Sequence, residues 1–289
     1  MSSLVSENTV AFVKSVAAEA RRVETPCGDG HMVWHVWGDG PPLALLHGGY
    51  GSWTHWIHNV IPLSRIFTVA APDLPGLGES TTPAEPHTAE GLASIVVEGL
   101  ELVFPKLGGL HIAGFSFGGV LGGHVAAQLG ERVCGFTIVG SNGLGLVRQP
   151  TALRRLPENA SEAEALAVAR HNLAELMIAD RGKIDELAVY IQEQNAPRGR
   201  VKSRRFSRAD TLARALPLIK ARIDGIWGEC DATAYPYLDD RARALRNVQP
   251  GARFEVISGA GHWVQYEAAD RFNQLLADMA GDGSAARGE

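Results

Sequence analysis

Short, mostly apolar runs recur along the chain, separated by longer stretches in which apolar residues return every third or fourth position. Leu43 to Leu46, Ile66 to Ala71, Leu110 to Ala113, Val133 to Gly140, Ile223 to Gly228 and Arg253 to Ile257 read as strands. Runs without alternation mark strands buried on both faces of a sheet. Arg22 to Pro26 and Met32 to Trp37 alternate instead, with Cys27-Gly28-Asp29-Gly30 as a hairpin turn between them. Helical spacing appears from Thr9 to Arg22, Trp53 to Leu63, Thr88 to Phe104, Gly119 to Leu129, Leu238 to Leu245 and Trp263 to Ala280. Strands alternating with helices predict an α/β fold: a mostly parallel central sheet with helices on both faces. From Leu144 to about Pro217 the strand signals vanish, and helical segments follow one another, among them Glu162 to Ala179 and Ile184 to Gln194. The expected organisation is a core of residues 1–143 and 218–289 with a helical cap inserted at 144–217. The polar tail Gly281 to Glu289 reads as disordered.

At 289 residues, 45% hydrophobic and 20% charged, the chain is long enough for a sizeable core. A net charge of -5 gives no footprint for nucleic acid or for a cationic membrane surface. Cys27, Cys134 and Cys230 are odd in number and far apart, so neither a disulfide framework nor a Cys-x-x-Cys metal pair is expected. That favours a reducing, cytoplasmic setting. Met1 to Glu7 lacks the basic and apolar regions of a signal peptide, and no run is long enough to span a bilayer. Composition leaves open whether the chain forms a homo-oligomer.

The candidate chemistry begins at Gly114-Phe115-Ser116-Phe117-Gly118, between an apolar run and a helix of small residues. A serine flanked by glycines on a strand-to-helix turn has the form of a nucleophile elbow, whose hydroxyl stands clear of a strained backbone. A serine needs a base, and the base needs an orienting carboxylate. His262 follows the last predicted strand, and Asp231 follows the strand Ile223 to Trp227. Ser116, Asp231 and His262 therefore meet at one sheet edge, in the chain order Ser, Asp, His. Glu229, Asp224 and Asp239 compete with Asp231, but Asp224 begins its strand and Glu229 lies too near the strand end. His47, His111 and His124 read as structural. Oxyanion donors are expected at the backbone amides of Phe117 and of Gly49, in the loop His47-Gly48-Gly49-Tyr50. Tyr50, Phe115, Asn142 and Trp263 flank these strand ends and are the expected substrate contacts.

With these residues in place, the chain resembles the α/β-hydrolase-fold superfamily over nearly its whole length. Asp73-Leu-Pro-Gly76-Leu-Gly78-Glu-Ser80, Ile226-Trp227-Gly228 leading to Asp231, and Gly261-His262-Trp263 carry the resemblance further. Gly261 to Glu267 is similar to the histidine region of carbon–carbon bond hydrolases acting on meta-cleavage products, and His47-Gly48-Gly49 fits them also. Phe115 and Tyr50-Gly51-Ser52 depart from that subgroup, and carboxylesterases match equally well. The resemblance implies a serine hydrolase that needs no metal or organic cofactor and acts on a small, largely apolar carbonyl compound, an ester or a vinylogous diketone. Rival readings are a ligand-binding receptor or partner protein on the same fold, and a lyase using the same triad. The basic stretch holding Arg198, Arg200, Lys202, Arg204, Arg205 and Arg208 reads as a solvated loop in preference to a carboxylate-binding site.

Overall fold

A computed structural model describes residues 5–285. The chain runs α1 (Glu7–Ala18), β1 (Arg21–Cys27), β2 (Gly30–Trp37), β3 (Pro42–Leu46), α2 (Val60–Ser64), β4 (Thr68–Pro72), α3 (Ala89–Val103), β5 (Leu110–Phe115), α4 (Phe117–Leu129) and β6 (Val133–Val139). After it come α5 (Glu162–Asn172), α6 (Glu186–Asn195), α7 (Arg204–Ser207) and α8 (Thr211–Ala215). The alternation resumes with β7 (Arg222–Gly228), α9 (Leu238–Val248), β8 (Phe254–Ile257), α10 (Val264–Glu267) and α11 (Ala269–Ala285).

The eight strands form one sheet in the order β1-β2-β4-β3-β5-β6-β7-β8. β2 pairs antiparallel with β1 and β4, and every other pairing is parallel. The apolar runs are apolar throughout because both faces are covered. Ala44, Leu46 and Ile112 face the core shared with Leu92 and Val96 of α3 and Val120 and Val125 of α4. Leu43, Leu45 and Ala113 face the opposite core, with Val60 of α2 and Phe272 and Leu276 of α11. Successive residues point to opposite faces of a strand, so one short run supplies two cores. Residues 144–217 carry no strand, and side chains from this stretch join Ser116 in lining one cavity above the strand ends.

Three predicted helices are broken. Trp53 to Leu63 divides into a short 3-10 turn, Trp53–Trp56, and α2, because Asn59 between them turns its amide onto Gln265 and Asn273. Glu162 to Ala179 ends as a helix at Asn172 and passes into a π-helical turn, Leu173–Met177. There the Met177 carbonyl accepts the Trp263 N–H, and the Ala179 N–H is taken by Glu267. Trp263 to Ala280 breaks at Ala268, whose ψ of 48 is not helical. The last helix continues through Ala285, which corrects the tail predicted from Gly281, while the rest of that tail lies outside the described residues. So does the start of the N-terminal stretch weighed as a signal peptide.

Candidate active site

Ser116 sits between the end of β5 and the start of α4 with φ 53 and ψ -112. A non-glycine residue there is strained. The turn is held by Ser116 N–H donating to the Val139 carbonyl at 2.8 Å and by Ser141 Oγ donating to the Ser116 carbonyl at 2.5 Å. A Cβ at Gly118 would stand 2.1 Å from the Leu46 carbonyl oxygen, and one at Gly114 would stand 2.5 Å from the Gly118 oxygen. Only glycine lets the turn lie this close to β3.

His262 bridges the two other residues predicted with it. Its Nε2 is 3.1 Å from Ser116 Oγ and its Nδ1 is 2.8 Å from Asp231 Oδ2. For the serine hydroxyl to donate to Nε2, the ring proton must lie on Nδ1 and be donated to Asp231. The other Asp231 oxygen accepts from the N–H and the hydroxyl of Thr233, each at 2.8 Å. The competing carboxylates lie elsewhere. Asp224 pairs with Arg222 at 2.7 Å, and Glu229 accepts from Ser258 and Gly259.

The loop after β3 is fixed by two buried histidines. His47 Nδ1 donates to the Gly48 carbonyl at 2.7 Å, and its Nε2 accepts the Leu74 N–H at 2.9 Å. Burial holds the His47 pKa down to about 4, which keeps this neutral tautomer in place. Gly48 N–H in turn donates to His55 Nδ1 at 3.3 Å. With its carbonyl edge turned to His47, the trans peptide between Gly48 and Gly49 points the Gly49 N–H the other way. Among the described residues no group accepts from the Gly49 or Phe117 amide. Phe117 is the first residue of α4, where a helix leaves its N–H free. A Cβ on Gly49 would stand 2.2 Å from Ser203 Oγ.

A cavity of about 270 Å³ joins these groups. Tyr50, Phe115 and Asn142 line it, as do Ser203, Arg204 and Ser207 from the stretch before β7. Asn142 spends one donor on Thr233, and so belongs to the support of Asp231 as well. Trp263 departs from expectation: it is outside the cavity lining, buried, stacked on Tyr266 at 4.2 Å, and donating to the His55 carbonyl at 2.9 Å. It packs behind the site because its indole N–H is claimed by that carbonyl. His55, Ser203, Arg148 and Glu267 were not singled out from the sequence. Glu267 accepts N–H groups from Gly261, Ala179 and Asp180, tying the loop that carries His262 to the stretch before β7. Helical or strand spacing does not mark such residues, whose roles depend on what the fold brings beside them.

The basic stretch is solvent-exposed, as expected, yet several of its cations are tied down. Arg200 donates to Thr82 at 2.9 Å and to the Ser80 carbonyl at 2.5 Å, Arg205 to the His87 carbonyl, and Arg198 lies 3.9 Å from Glu79. These cations fasten the stretch to the loop after β4, while Arg204 lines the cavity. No cluster of metal-ligating side chains occurs among the described residues.

A doubly covered, mostly parallel sheet with a serine on the β5 turn and a histidine past β8 has the architecture of an α/β hydrolase. The family model described as "Alpha/beta hydrolase family" matches residues 43–275, and the chain belongs to that family. Curated relatives include a 2-hydroxy-6-oxononadienedioate/2-hydroxy-6-oxononatrienedioate hydrolase of Comamonas testosteroni, 26% identical over 85% of this chain and 90% of that protein. The dihydrolipoyllysine-residue acetyltransferase component of the acetoin cleaving system of Cupriavidus necator is 25% identical over 84% of this chain, which spans 64% of that protein's length. Among solved structures, an esterase from Rhodococcus sp. ECU1013 has a TM-score of 0.74 at 21% identity, over 90% of this chain and 98% of that one. At such identity the likeness is one of fold. No helix among the described residues is long and apolar enough to cross a membrane.

Proposed function

We propose that this hydrolase cleaves a small carbonyl compound through an acyl-enzyme on Ser116. The observation that carries the reading is the hydrogen-bonded chain from Asp231 through His262 to Ser116. His262 Nε2 takes the hydroxyl proton as Oγ attacks the carbonyl carbon. Asp231 stabilises the imidazolium and holds its tautomer. The negative charge that develops on the carbonyl oxygen is met by the Gly49 and Phe117 amides. His262 then protonates the leaving group and activates water, which releases the acid and frees Ser116. Side chains supply every proton transfer in this scheme. Residues 144–217 act as a cap, supplying Leu153, Leu176 and Met177 as the apolar part of the cavity wall and excluding water from the oxyanion.

Ester hydrolysis and cleavage of a vinylogous diketone share this acyl-enzyme. The second is favoured by the printed activity of the Comamonas relative, which matches at nearly full length. Turnover of 4-nitrophenyl butyrate and of a 2-hydroxy-6-oxohexa-2,4-dienoate, followed by absorbance, ranks the two. Ser116→Ala should lower either rate by on the order of a million-fold. A fluorophosphonate adduct on Ser116, found by mass spectrometry, should appear in the native protein. Near-normal turnover by Ser116→Ala sinks the acyl-enzyme. Tight ligand binding without turnover on either substrate class would establish a receptor instead.

A further inference from the structure

A buried cation stands behind Asp231. Arg241, on α9, is 1% exposed. Among the described residues no carboxylate comes within salt-bridge distance of it. Its guanidinium donates instead to backbone carbonyls, those of Tyr237 at 3.0 Å, Thr233 at 3.4 Å and Val147. Thr233 and Tyr237 lie in the turn that leaves β7, and Val147 lies in the stretch that follows β6. One planar group therefore pins two points of the turn carrying Asp231 and ties them to the chain opposite.

Taking a guanidinium out of water is costly unless its donors and its charge are both answered. The carbonyls answer the donors. The charge is answered further off. Burial lowers the Arg241 pKa, and the carboxylates of Asp231 and Asp240 oppose that shift. Asp240 is partly exposed and pairs with Arg243 at 3.1 Å. Asp231 is buried, and one residue separates it from the guanidinium. That residue is Thr233. Its N–H and hydroxyl each donate to Asp231 Oδ1 at 2.8 Å, while its carbonyl accepts from Arg241. Asp231 Oδ2 is thereby left to His262 Nδ1. In a dry interior, opposite charges attract across a single residue far more strongly than in water. The chain Arg241, Thr233, Asp231, His262, Ser116 is continuous, and its far end is a cation that the proton transfers do not use.

We propose that Arg241 is a positioning residue of the reaction: it fixes the turn from Asp231 to Tyr237 and sets a positive charge behind Asp231, so that Oδ2 stays on His262 Nδ1 while the proton moves. The inference rests on the acyl-enzyme reading above and adds to it a residue that lines no part of the cavity above Ser116. Because Val147 shares the guanidinium, the seat of Asp231 and the start of residues 144–217 are set together.

The test is Arg241→Gln, which removes the charge and keeps one donor. On 4-nitrophenyl butyrate it should lower kcat by roughly ten- to a hundredfold and leave KM nearly unchanged, as a misplaced reacting group does. Arg241→Lys should retain more of kcat by returning the charge. In an Asp231→Asn background Arg241→Gln should cost no more than about a further twofold, because the residue it acts through is already lost. Labelling of Ser116 by a fluorophosphonate reads the same base without any turnover, and it should slow in step with kcat. A native kcat and labelling rate in Arg241→Gln overturn the proposal, as do a loss confined to KM, a loss that multiplies with that of Asp231→Asn, or a lysine variant no better than glutamine. Where Arg241→Gln does not fold, Thr233→Val decides: it leaves the carbonyl bonds of Arg241 in place and removes a donor from Asp231. It should lower kcat by roughly tenfold or more, and an unchanged kcat overturns the proposal. Failure of the reading beneath it looks different, since Ser116→Ala would then keep its turnover and the native serine would take no label.

Discussion

Replacing Ser116 by glycine should make the protein more stable than replacing it by alanine. Ser116 has φ 53 and ψ -112, a region where an L side chain crowds its own backbone. For glycine the same dihedrals mirror an ordinary extended conformation and carry no penalty. Strain of this kind costs about 1–3 kcal/mol. Alanine keeps the Cβ and therefore keeps the strain. Glycine releases it but gives back about 0.5–1 kcal/mol through the greater freedom of the unfolded chain. Both variants lose the contact with His262 Nε2 equally, and the hydroxyl makes no cap bond to α4 that would separate them. The glycine variant should thus exceed the alanine variant by up to about 2.5 kcal/mol. Urea unfolding of the two at matched m values measures the difference directly. Each kcal/mol should also move Tm by about 2–4 °C in a chain of this size. A glycine variant less stable than the alanine variant, the usual order at an unstrained site, would refute the claim that this turn stores strain to present its hydroxyl.

Asp231→Asn should lower kcat on 4-nitrophenyl butyrate by on the order of ten-thousandfold at neutral pH, because an amide facing Nδ1 favours the wrong histidine tautomer. A loss under tenfold would remove Asp231 from the mechanism. Gly49→Ala should lower kcat by roughly a hundredfold or more, since its Cβ would meet Ser203 Oγ at 2.2 Å and displace the amide; adding Ser203→Gly should recover part of the loss, and an unaffected Gly49→Ala protein would place the oxyanion donor elsewhere. Stability should fall as pH drops from about 6.5 towards 4. Burial lowers His35 and His47 to about 4 and His111 to about 3, so in that window the unfolded chain binds protons that the fold refuses. Asp73, raised to about 6 by burial, works in the opposite sense between its unfolded value and 6, but the buried histidines, His55 among them, outnumber it and the net change is a loss. Urea midpoints at pH 7, 6 and 5 should show the decline, and a flat profile would refute it.

What the sequence disclosed follows from the range over which each signal acts. A strand buried on both faces must be apolar residue by residue, so β3, β5, β6 and β7 were legible, as was their parallel arrangement. Ser116, Asp231 and His262 each stand a few residues beyond such a strand, and the topology carries all three to one edge. The breaks at Asn59, Leu173 and Ala268 were not legible. Two of them are caused by partners from another part of the chain: Asn59 by Gln265 and Asn273, and the Leu173–Met177 turn by Trp263 and Glu267. Periodicity reports the local preference for helix and is blind to such competition. The basic stretch shows the same limit, for composition cannot separate Arg200, whose donors are taken up by Thr82 and Ser80, from Arg204, which lines the cavity.

The same long-range contacts bear on how the site is held. Trp263, next to His262, donates its N–H to Met177 and its indole proton to the His55 carbonyl. Glu267 gathers Gly261, Ala179 and Asp180 on one carboxylate, and Lys183 reaches the Glu267 carbonyl at 2.9 Å. The loop that carries His262 is therefore bonded to residues 177–183 as closely as to the sheet. On the other side, His55 receives the Gly48 N–H and so couples the indole of Trp263 to the loop that carries Gly49. A shift of the residues above the cavity would be felt at Nε2 of His262 and at the Gly49 amide together, because both are reached through Trp263. Where reacting groups must hold their geometry to a fraction of an ångström, a buried residue that touches no substrate can thus matter as much as one that does.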